Sequence, residues 1–154
     1  MAENSMAEKN VETLNSNMEL ATFYVGDALC GIDILNIQEI NKHFDITNVP
    51  QAADYIIGIL NLRGKIVTII DLAKKLGLSQ INSGKDNRNI IVNSEDEHIG
   101  LMVDSISDVV QGNSEEIEPA PSNISGIKGK FFSGVLKTED KLIGILDIDE
   151  VLKE

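Results

Sequence analysis

The chain has 154 residues, 42% of them hydrophobic, and one cysteine, which is enough apolar material for one compact domain or two small fused ones and excludes an internal disulfide. Its 25 acidic and 13 basic side chains give a net charge of −12 without a basic stripe, so nucleic acid is not an expected partner. No leader with a basic and an apolar region and no apolar run of membrane-spanning length is visible, so direct membrane insertion is not expected and the lone thiol fits a cytoplasmic location.

Residues 1–18 are polar, lack aromatic side chains and are expected to form a disordered tail. Beyond the tail, alternating or continuous apolar runs predict eight short β-strands, near residues 19–25, 29–35, 56–62, 65–70, 89–93, 98–103, 131–137 and 141–147. Two short helices are predicted between strands: Asn36 would cap one that reaches Lys42, and Asp71 would cap one that Gly77 ends. The pattern is typical of an all-β fold with a few short helices.

The chain contains an internal duplication. Residues 31–40 align without a gap with residues 100–109, and residues 58–72 align in the same way with residues 134–148. These blocks predict a first repeat at about 19–78, a joint at about 79–87 and a second repeat at about 88–151. Each repeat has about four strands and is too small for a robust core alone, so we expect the repeats to pack together or to curl into small barrels that share an apolar seam.

The most informative segment is residues 58–72, where two β-branched runs flank a hairpin tip at residues 61–65. The tip holds Arg63, one of two arginines in the protein, and a guanidinium can grip a carboxylate with two hydrogen bonds. The duplication aligns Arg63 with Glu139, so the shared fold does not require an arginine there. Arg63 is therefore a candidate docking residue, because arginine is enriched at binding hot spots. The structural alternative is an ion pair with an acid such as Glu39 that only orders the tip.

Catalytic and metal sites are poorly supported by the sequence. His43 and His98 are the only histidines, and neither has a nucleophile nearby in sequence or a zinc-ligand spacing with Cys30. The glycines form no phosphate-binding motif, and the acids of residues 147–150 lack the glycine and the later glutamate of a calcium loop. The sequence predicts no catalytic residue, no metal and no cofactor, and it favours recognition of another protein.

The same segments resemble those of a known family. Residues 58–72 and residues 31–40 resemble two motifs of the CheW family of bacterial chemotaxis coupling proteins, and residues 103–109 and 117–121 match the second half of that family. The resemblance spans roughly residues 19–151. It implies two five-stranded, SH3-like β-barrel subdomains around one continuous hydrophobic core.

The resemblance also implies a non-catalytic cytoplasmic adaptor, recruited to membrane receptor arrays through its partners, that couples transmembrane chemoreceptors (methyl-accepting chemotaxis proteins) to the histidine kinase CheA. The regulatory domain of the kinase is expected to dock barrel end to barrel end, and the receptor's cytoplasmic helical hairpin tip to lie near residues 61–65. The partner-binding residues carried over by motif are Ile37, Glu39, Gly58, Asn61, Leu62, Arg63 and Gly64. Two alternatives are a CheW-like regulatory fragment of another two-component assembly and a small β-barrel ligand binder with a deep pocket lined by His43 or His98.

Overall fold

The structure is a computed structural model that describes residues 17–153. Its two α-helices are α1 (Leu72–Lys75) and α2 (Ile148–Leu152), and single 3-10 turns lie at Ile34–Asn36, Ser114–Glu116 and Gly129–Phe131. The strands are β1 (Asn17–Val25), β2 (Ala28–Asp33), β3 (Ile37–Asn41), β4 (Ile56–Leu62), β5 (Lys65–Asp71), β6 (Arg88–Ser94), β7 (Glu97–Val103), β8 (Ser105–Asn113), β9 (Asn123–Ile124), β10 (Ile127–Lys128), β11 (Phe132–Lys137) and β12 (Leu142–Leu146). No helix among these residues is long and apolar enough to cross a bilayer.

Ten strands form two five-stranded sheets, and β9 and β10 form a separate pair. We call the sheet with the order β3-β6-β7-β5-β4 barrel one and the sheet with the order β11-β12-β2-β1-β8 barrel two. Each curls towards closure, because a residue of the loop before the last hairpin exchanges two main-chain hydrogen bonds with the edge strand. These are Thr47 with Ile59 in barrel one, both 2.8 Å, and Glu118 with Val135 in barrel two, 2.9 and 2.8 Å. The prediction of two five-stranded, SH3-like barrels is confirmed.

Each barrel combines strands from both sequence repeats. Barrel one joins the hairpin β6-β7 of the second repeat to β3, β4 and β5 of the first, and barrel two joins β1-β2 to β8, β11 and β12. In each barrel one seam between the repeats is parallel, and these two seams are equivalent: Ile69 lies beside Gly100 in barrel one, and Ile145 lies beside Gly31 in barrel two. The other seams, β3-β6 and β1-β8, are antiparallel. The sequence repeats therefore interleave in space, with each barrel taking the first hairpin of one repeat and three later strands of the other.

One cluster of buried side chains is shared by the two barrels. It includes Phe23 and Cys30 from barrel two and Ile70 and Leu101 from barrel one, all with 3% or less of their surface exposed. Burial raises the pKa of the Cys30 thiol to about 12, so this cysteine behaves as a core side chain rather than a reactive thiol. The predicted continuous core is confirmed, and each barrel adds a small apolar cluster of its own, Leu60, Val67, Ile69 and Ile91 in barrel one and Leu20, Leu29, Leu136, Ile143 and Ile145 in barrel two.

The helix predicted from Asn36 to Lys42 is wrong. The chain there makes one 3-10 turn and then forms strand β3, which pairs with β6. The two isoleucines of β3 lie three residues apart, like those of a helix, because a β-bulge at Gln38 interrupts the alternation of the strand. The helix predicted after Asp71 is confirmed as α1, whose Lys74 N–H is capped by the Asp71 carboxylate at 3.1 Å. The tail predicted for residues 1–18 lies outside the described residues, except for the two that begin β1.

Candidate docking site

The tip of the β4-β5 hairpin is a two-residue turn. Leu62 pairs with Lys65, and the residues between them, Arg63 and Gly64, have φ angles of +53° and +84°. Positive φ at both central residues is the signature of a type I′ turn, whose twist matches that of the flanking strands. The Asn61 side-chain oxygen accepts a hydrogen bond from the Gly64 N–H at 2.9 Å and fixes the turn. The turn therefore holds the Arg63 side chain at a defined place.

Arg63 forms an ion pair with Glu39, with 2.5 Å between Nη1 and Oε1. The pair connects opposite edges of barrel one, because Glu39 lies on β3 and the turn follows β4. The Arg63 hydrogen bond, and after it one from the Asn41 amide at 3.0 Å, hold the pKa of Glu39 below its usual range. The Arg63 side chain remains 72% exposed against 24% for the Glu39 side chain, so the pair orders the tip and leaves most of the arginine accessible.

The side-chain amides of Asn41 and Asn89 support the ion pair through hydrogen bonds. Asn41 accepts a hydrogen bond at 3.2 Å from Asn89, which also donates to the His43 carbonyl oxygen at 2.8 Å. Asn89 is fully buried, and its Oδ1 has no hydrogen-bond partner among the described residues. A buried amide in a barrel wall costs free energy unless it is hydrogen-bonded. Its two donated bonds connect β6 to Asn41, the last residue of β3, and to His43 beyond it, two and four residues after Glu39.

A groove of about 240 Å³ lies beside the ion pair. Its floor is apolar, and its rim is polar: the floor is Leu62, Val67 and Ile91, and the rim is Gln38, Glu39, Arg63, Lys65 and His98. Gln38, Lys65 and His98 were not predicted as site residues. The repeat alignment carried one usable signal, because His98 aligns with the buried Leu29. In residues 17–153 no cluster of His, Cys, Asp and Glu side chains is arranged to hold a metal ion.

The predicted site residues separate into two groups. Glu39, Asn61, Leu62, Arg63 and Gly64 meet at the hairpin tip. Ile37 is half-buried against the shared core.

Gly58 lies apart from the tip and is buried. A Cβ atom there would overlap the Thr47 carbonyl oxygen that closes barrel one. Gly134 has the same place in barrel two, where a Cβ would meet the Glu118 carbonyl oxygen at 2.9 Å. Barrel closure explains the glycine in both repeats.

Barrel two lacks the ion pair of barrel one. The repeat alignment matches Glu39 with Asp108 and Arg63 with Glu139, so both equivalent positions are acidic. Neither acid forms an ion pair within residues 17–153. The turn also differs, because Glu139 does not adopt the left-handed conformation of Arg63. The exposed, braced guanidinium is thus a property of one barrel only.

Comparison with known proteins gives one consistent answer. A family model described as CheW-like domain matches residues 19–154. The chemotaxis protein CheW of Helicobacter pylori is 33% identical over 150 residues, which are 97% of this chain and 88% of that protein, and that of Treponema pallidum is 33% identical over 141 residues, 89% of this chain and 83% of that protein. The crystal structure of the scaffolding protein TtCheW from Thermoanaerobacter tengcongensis matches with a TM-score of 0.81 and 35% identity, over 89% of this chain and 88% of that one.

Proposed function

The chain belongs to the CheW-like domain family, and from this premise we propose that it is a non-catalytic chemotaxis scaffold that couples transmembrane chemoreceptors to the histidine kinase CheA. Its relatives are chemotaxis proteins, which supports the chemotaxis role, and the matched structure is that of a scaffolding protein, which supports the scaffold role. The protein acts in the cytoplasm and reaches membrane receptor arrays through its partners.

The observation that carries the docking part of the proposal is the Arg63 side chain. It is 72% exposed, fixed by a type I′ turn and oriented by Glu39, so it loses little conformational freedom when a partner binds. We assign the receptor's cytoplasmic helical hairpin tip to this surface and the CheA regulatory domain to a barrel end. The alternative of a ligand pocket lined by His98 is less well supported, because that groove, at about 240 Å³, is smaller than the roughly 300–1,000 Å³ of usual ligand pockets.

The test is the binding of Arg63→Ala to a receptor cytoplasmic tip fragment and to a CheA regulatory domain. Truncation of a hot spot costs about 2 kcal/mol or more of binding, so we expect the receptor tip to bind about 30-fold more weakly. The melting temperature should hardly change, because an exposed ion pair adds little stability.

The matched control is Lys137→Ala, which removes the cation of an exposed ion pair in barrel two, 3.4 Å from Glu118. It should leave receptor binding unchanged. A large loss of stability in Arg63→Ala with normal binding would instead favour a purely structural ion pair. If the wild-type protein binds neither partner, the coupling function itself is refuted.

A further inference from the structure

A cavity of about 390 Å³ is lined by barrel one and by the joint that connects the repeats, residues 79–87. It shares no lining residue with the groove beside the ion pair. Its volume falls within the roughly 300–1,000 Å³ of usual small-molecule pockets. Its lining combines apolar with polar side chains, namely Phe44, Ile57, Ile81 and Met102 with Asp71, Gln80, Ser83 and Asn87. This combination is typical of a site that holds and orients a small ligand.

The joint forms a fixed wall of this cavity. The Ile81 N–H donates to Oδ2 of Asp71 at 3.0 Å, and the next N–H, that of Asn82, donates to Oδ1 of Asp104 at 3.2 Å. Asp71 and Ile81 are each only 7% exposed, so the first of these bonds is buried. The wall is therefore in place before a ligand arrives, and little free energy is lost to ordering it.

The barrel side of the cavity is fixed as well. Asn89 donates to the His43 carbonyl oxygen at 2.8 Å, which ties the residue before Phe44 to β6. Ile57 is the bulge residue of β4, and the repeat alignment places Ser133 at the equivalent bulge of barrel two. The bulge itself thus does not require isoleucine. Ile57 and the 43% exposed Phe44 give the cavity apolar surface that barrel closure does not demand.

Asn87 is the polar group that indicates a ligand. It lines the cavity and is only 7% exposed. Its main-chain carbonyl oxygen accepts a hydrogen bond from Arg88 at 2.7 Å, but its side-chain amide has no hydrogen-bond partner within residues 17–153. Neither polar atom of that amide is fully enclosed by protein. Because a buried amide costs free energy unless it is hydrogen-bonded, a ligand that pairs with it would be favoured.

The charge and shape of the lining restrict the ligand. Among the described residues, Asp71 is the one acid that lines the cavity and no basic side chain does so. A phosphate or carboxylate would meet this acid without a cation to balance it. The Asn87 amide offers a donor beside an acceptor, which matches the edge of an amino-substituted ring such as adenine. Phe44 adds an aromatic side chain, which packs well against a flat ring.

We propose that this cavity binds a neutral, amino-substituted aromatic heterocycle, a purine base or nucleoside, through the Asn87 amide. Phe44, Ile57 and Met102 provide the apolar contacts. The site goes beyond the proposed coupling function and does not depend on it. Because the ligand touches both the joint and barrel one, its binding stabilises the connection between the two repeats.

The first experiment titrates the isotope-labelled full chain with adenine, adenosine and adenosine monophosphate, each to millimolar concentration. We expect adenine to shift the resonances of Ile57, Asn87 and Met102. Matching shifts with adenosine assign the site to nucleosides, and shifts with adenine alone assign it to the free base. Adenosine monophosphate should not bind, because its phosphate has no cation in the cavity. No shifts at these residues with either neutral compound, or equal shifts with the monophosphate, would overturn the proposal.

The second experiment measures adenine binding to variants. Asn87→Leu keeps the size of the side chain and removes the amide, so we expect affinity to fall by about fivefold or more while the melting temperature stays the same or rises. Phe44→Ala removes a partly exposed ring that the fold tolerates losing and should also weaken binding. Ile66→Ala is the matched control, since Ile66 is a 57% exposed apolar residue of barrel one outside the cavity.

Unchanged adenine affinity in Asn87→Leu would overturn the role of the amide. If that variant does not fold, unchanged affinity in Phe44→Ala overturns the site. Equal weakening by Ile66→Ala would also overturn it, because the effect would not be specific to the cavity.

Discussion

Barrel one and barrel two share a framework but differ in what they place on it. Through the repeat register, the buried Leu20 and Leu29 of barrel two correspond to Asn89 and His98 in barrel one. At the tip, Glu139 corresponds to Arg63. At these positions barrel two has packed leucines, whereas the same region of barrel one contains amides, an imidazole and an ion pair.

The difference shows how a duplicated fold separates stability from recognition. Some positions are glycine or apolar in both barrels. Gly58 and Gly134 lie where each barrel closes, and Ile69 and Ile145 lie in the parallel seams between the repeats. Asn89 and His98, which are polar where barrel two has leucine, lie near the ion pair of the hairpin tip. Because one buried cluster stabilises both barrels together, the polar substitutions of one barrel are tolerated.

The largest expected effect tests the shared framework. Gly58→Ala and Gly134→Ala should each lower the free energy of unfolding by about 1–3 kcal/mol, because the new methyl group overpacks a closed contact. Gly58→Ala should be the more harmful, since its Cβ meets main-chain oxygen more closely than the Cβ at Gly134 does. Urea denaturation measures both, with Gly84→Ala as the control, because nothing lies within 4 Å of a Cβ there. If Gly58→Ala leaves the free energy of unfolding unchanged but weakens binding of the receptor tip, Gly58 belongs to the docking surface and not to the framework.

The next effect sharpens the contrast between the two tips. Arg63→Asn should raise the melting temperature by about 2 °C, because asparagine tolerates positive φ better than arginine does. The same change should weaken receptor-tip binding, since the guanidinium is lost. Differential scanning calorimetry and a binding assay report the two opposite changes. Glu139→Asn is the matched variant, and it should alter neither quantity, because Glu139 lacks a left-handed backbone. If Arg63→Asn lowers the melting temperature and leaves binding of the receptor tip unchanged, Arg63 stabilises the fold and is not a docking residue.

The smallest expected effect is a change of stability as the pH falls into the acidic range. Arg63 lowers the pKa of Glu39 in the folded protein, so the stabilisation by this carboxylate is complete above the ordinary glutamate pKa of about 4.3 and is lost as the pH falls through the lower, folded value. Melting temperatures of the wild type and Glu39→Gln should differ slightly at pH 7, and the difference should shrink as the pH falls below about 4.3 and through the lower, folded pKa. A difference that stays constant through this acid range would show that the charge of Glu39 is not its source.

Much of the fold could be predicted because its signals are local. The eight predicted strands correspond to β1, β2, β4, β5, β6, β7, β11 and β12, and the turn at residues 61–65 was readable from glycine and β-branched neighbours. Strands β3 and β8 and the short pair β9 and β10 were missed. In β3 a bulge replaced the strand alternation with a helix-like spacing. The exchange of strands between repeats was also out of reach, because the parallel pairing of β2 with β12 joins residues over 110 positions apart, such as Cys30 and Gly144.

The candidate site was predictable in part for the same reason. Arg63 was found because the repeat alignment exposes an arginine that the second copy lacks, whereas Glu39 was carried over from the family motif that residues 31–40 resemble. Gln38 and His98 were missed, since they meet only when the bulge turns one side chain across β6 towards β7. The alignment of His98 with Leu29 carried this information, but its meaning depends on the burial of Leu29.

The interleaving of strands has a consequence for synthesis on the ribosome. Residues 37–103 contain every strand of barrel one, so this barrel can close while the rest of the chain is still being made. The hairpin β1-β2 precedes barrel one in the chain, yet its partners β8 and β12 follow the last strand of barrel one. The β1-β2 hairpin must therefore wait for β8 and β12, and during that interval its edges are exposed to wrong pairing. A chain that stalls before residue 142 would carry a finished Arg63 turn on a barrel that has no completed neighbour.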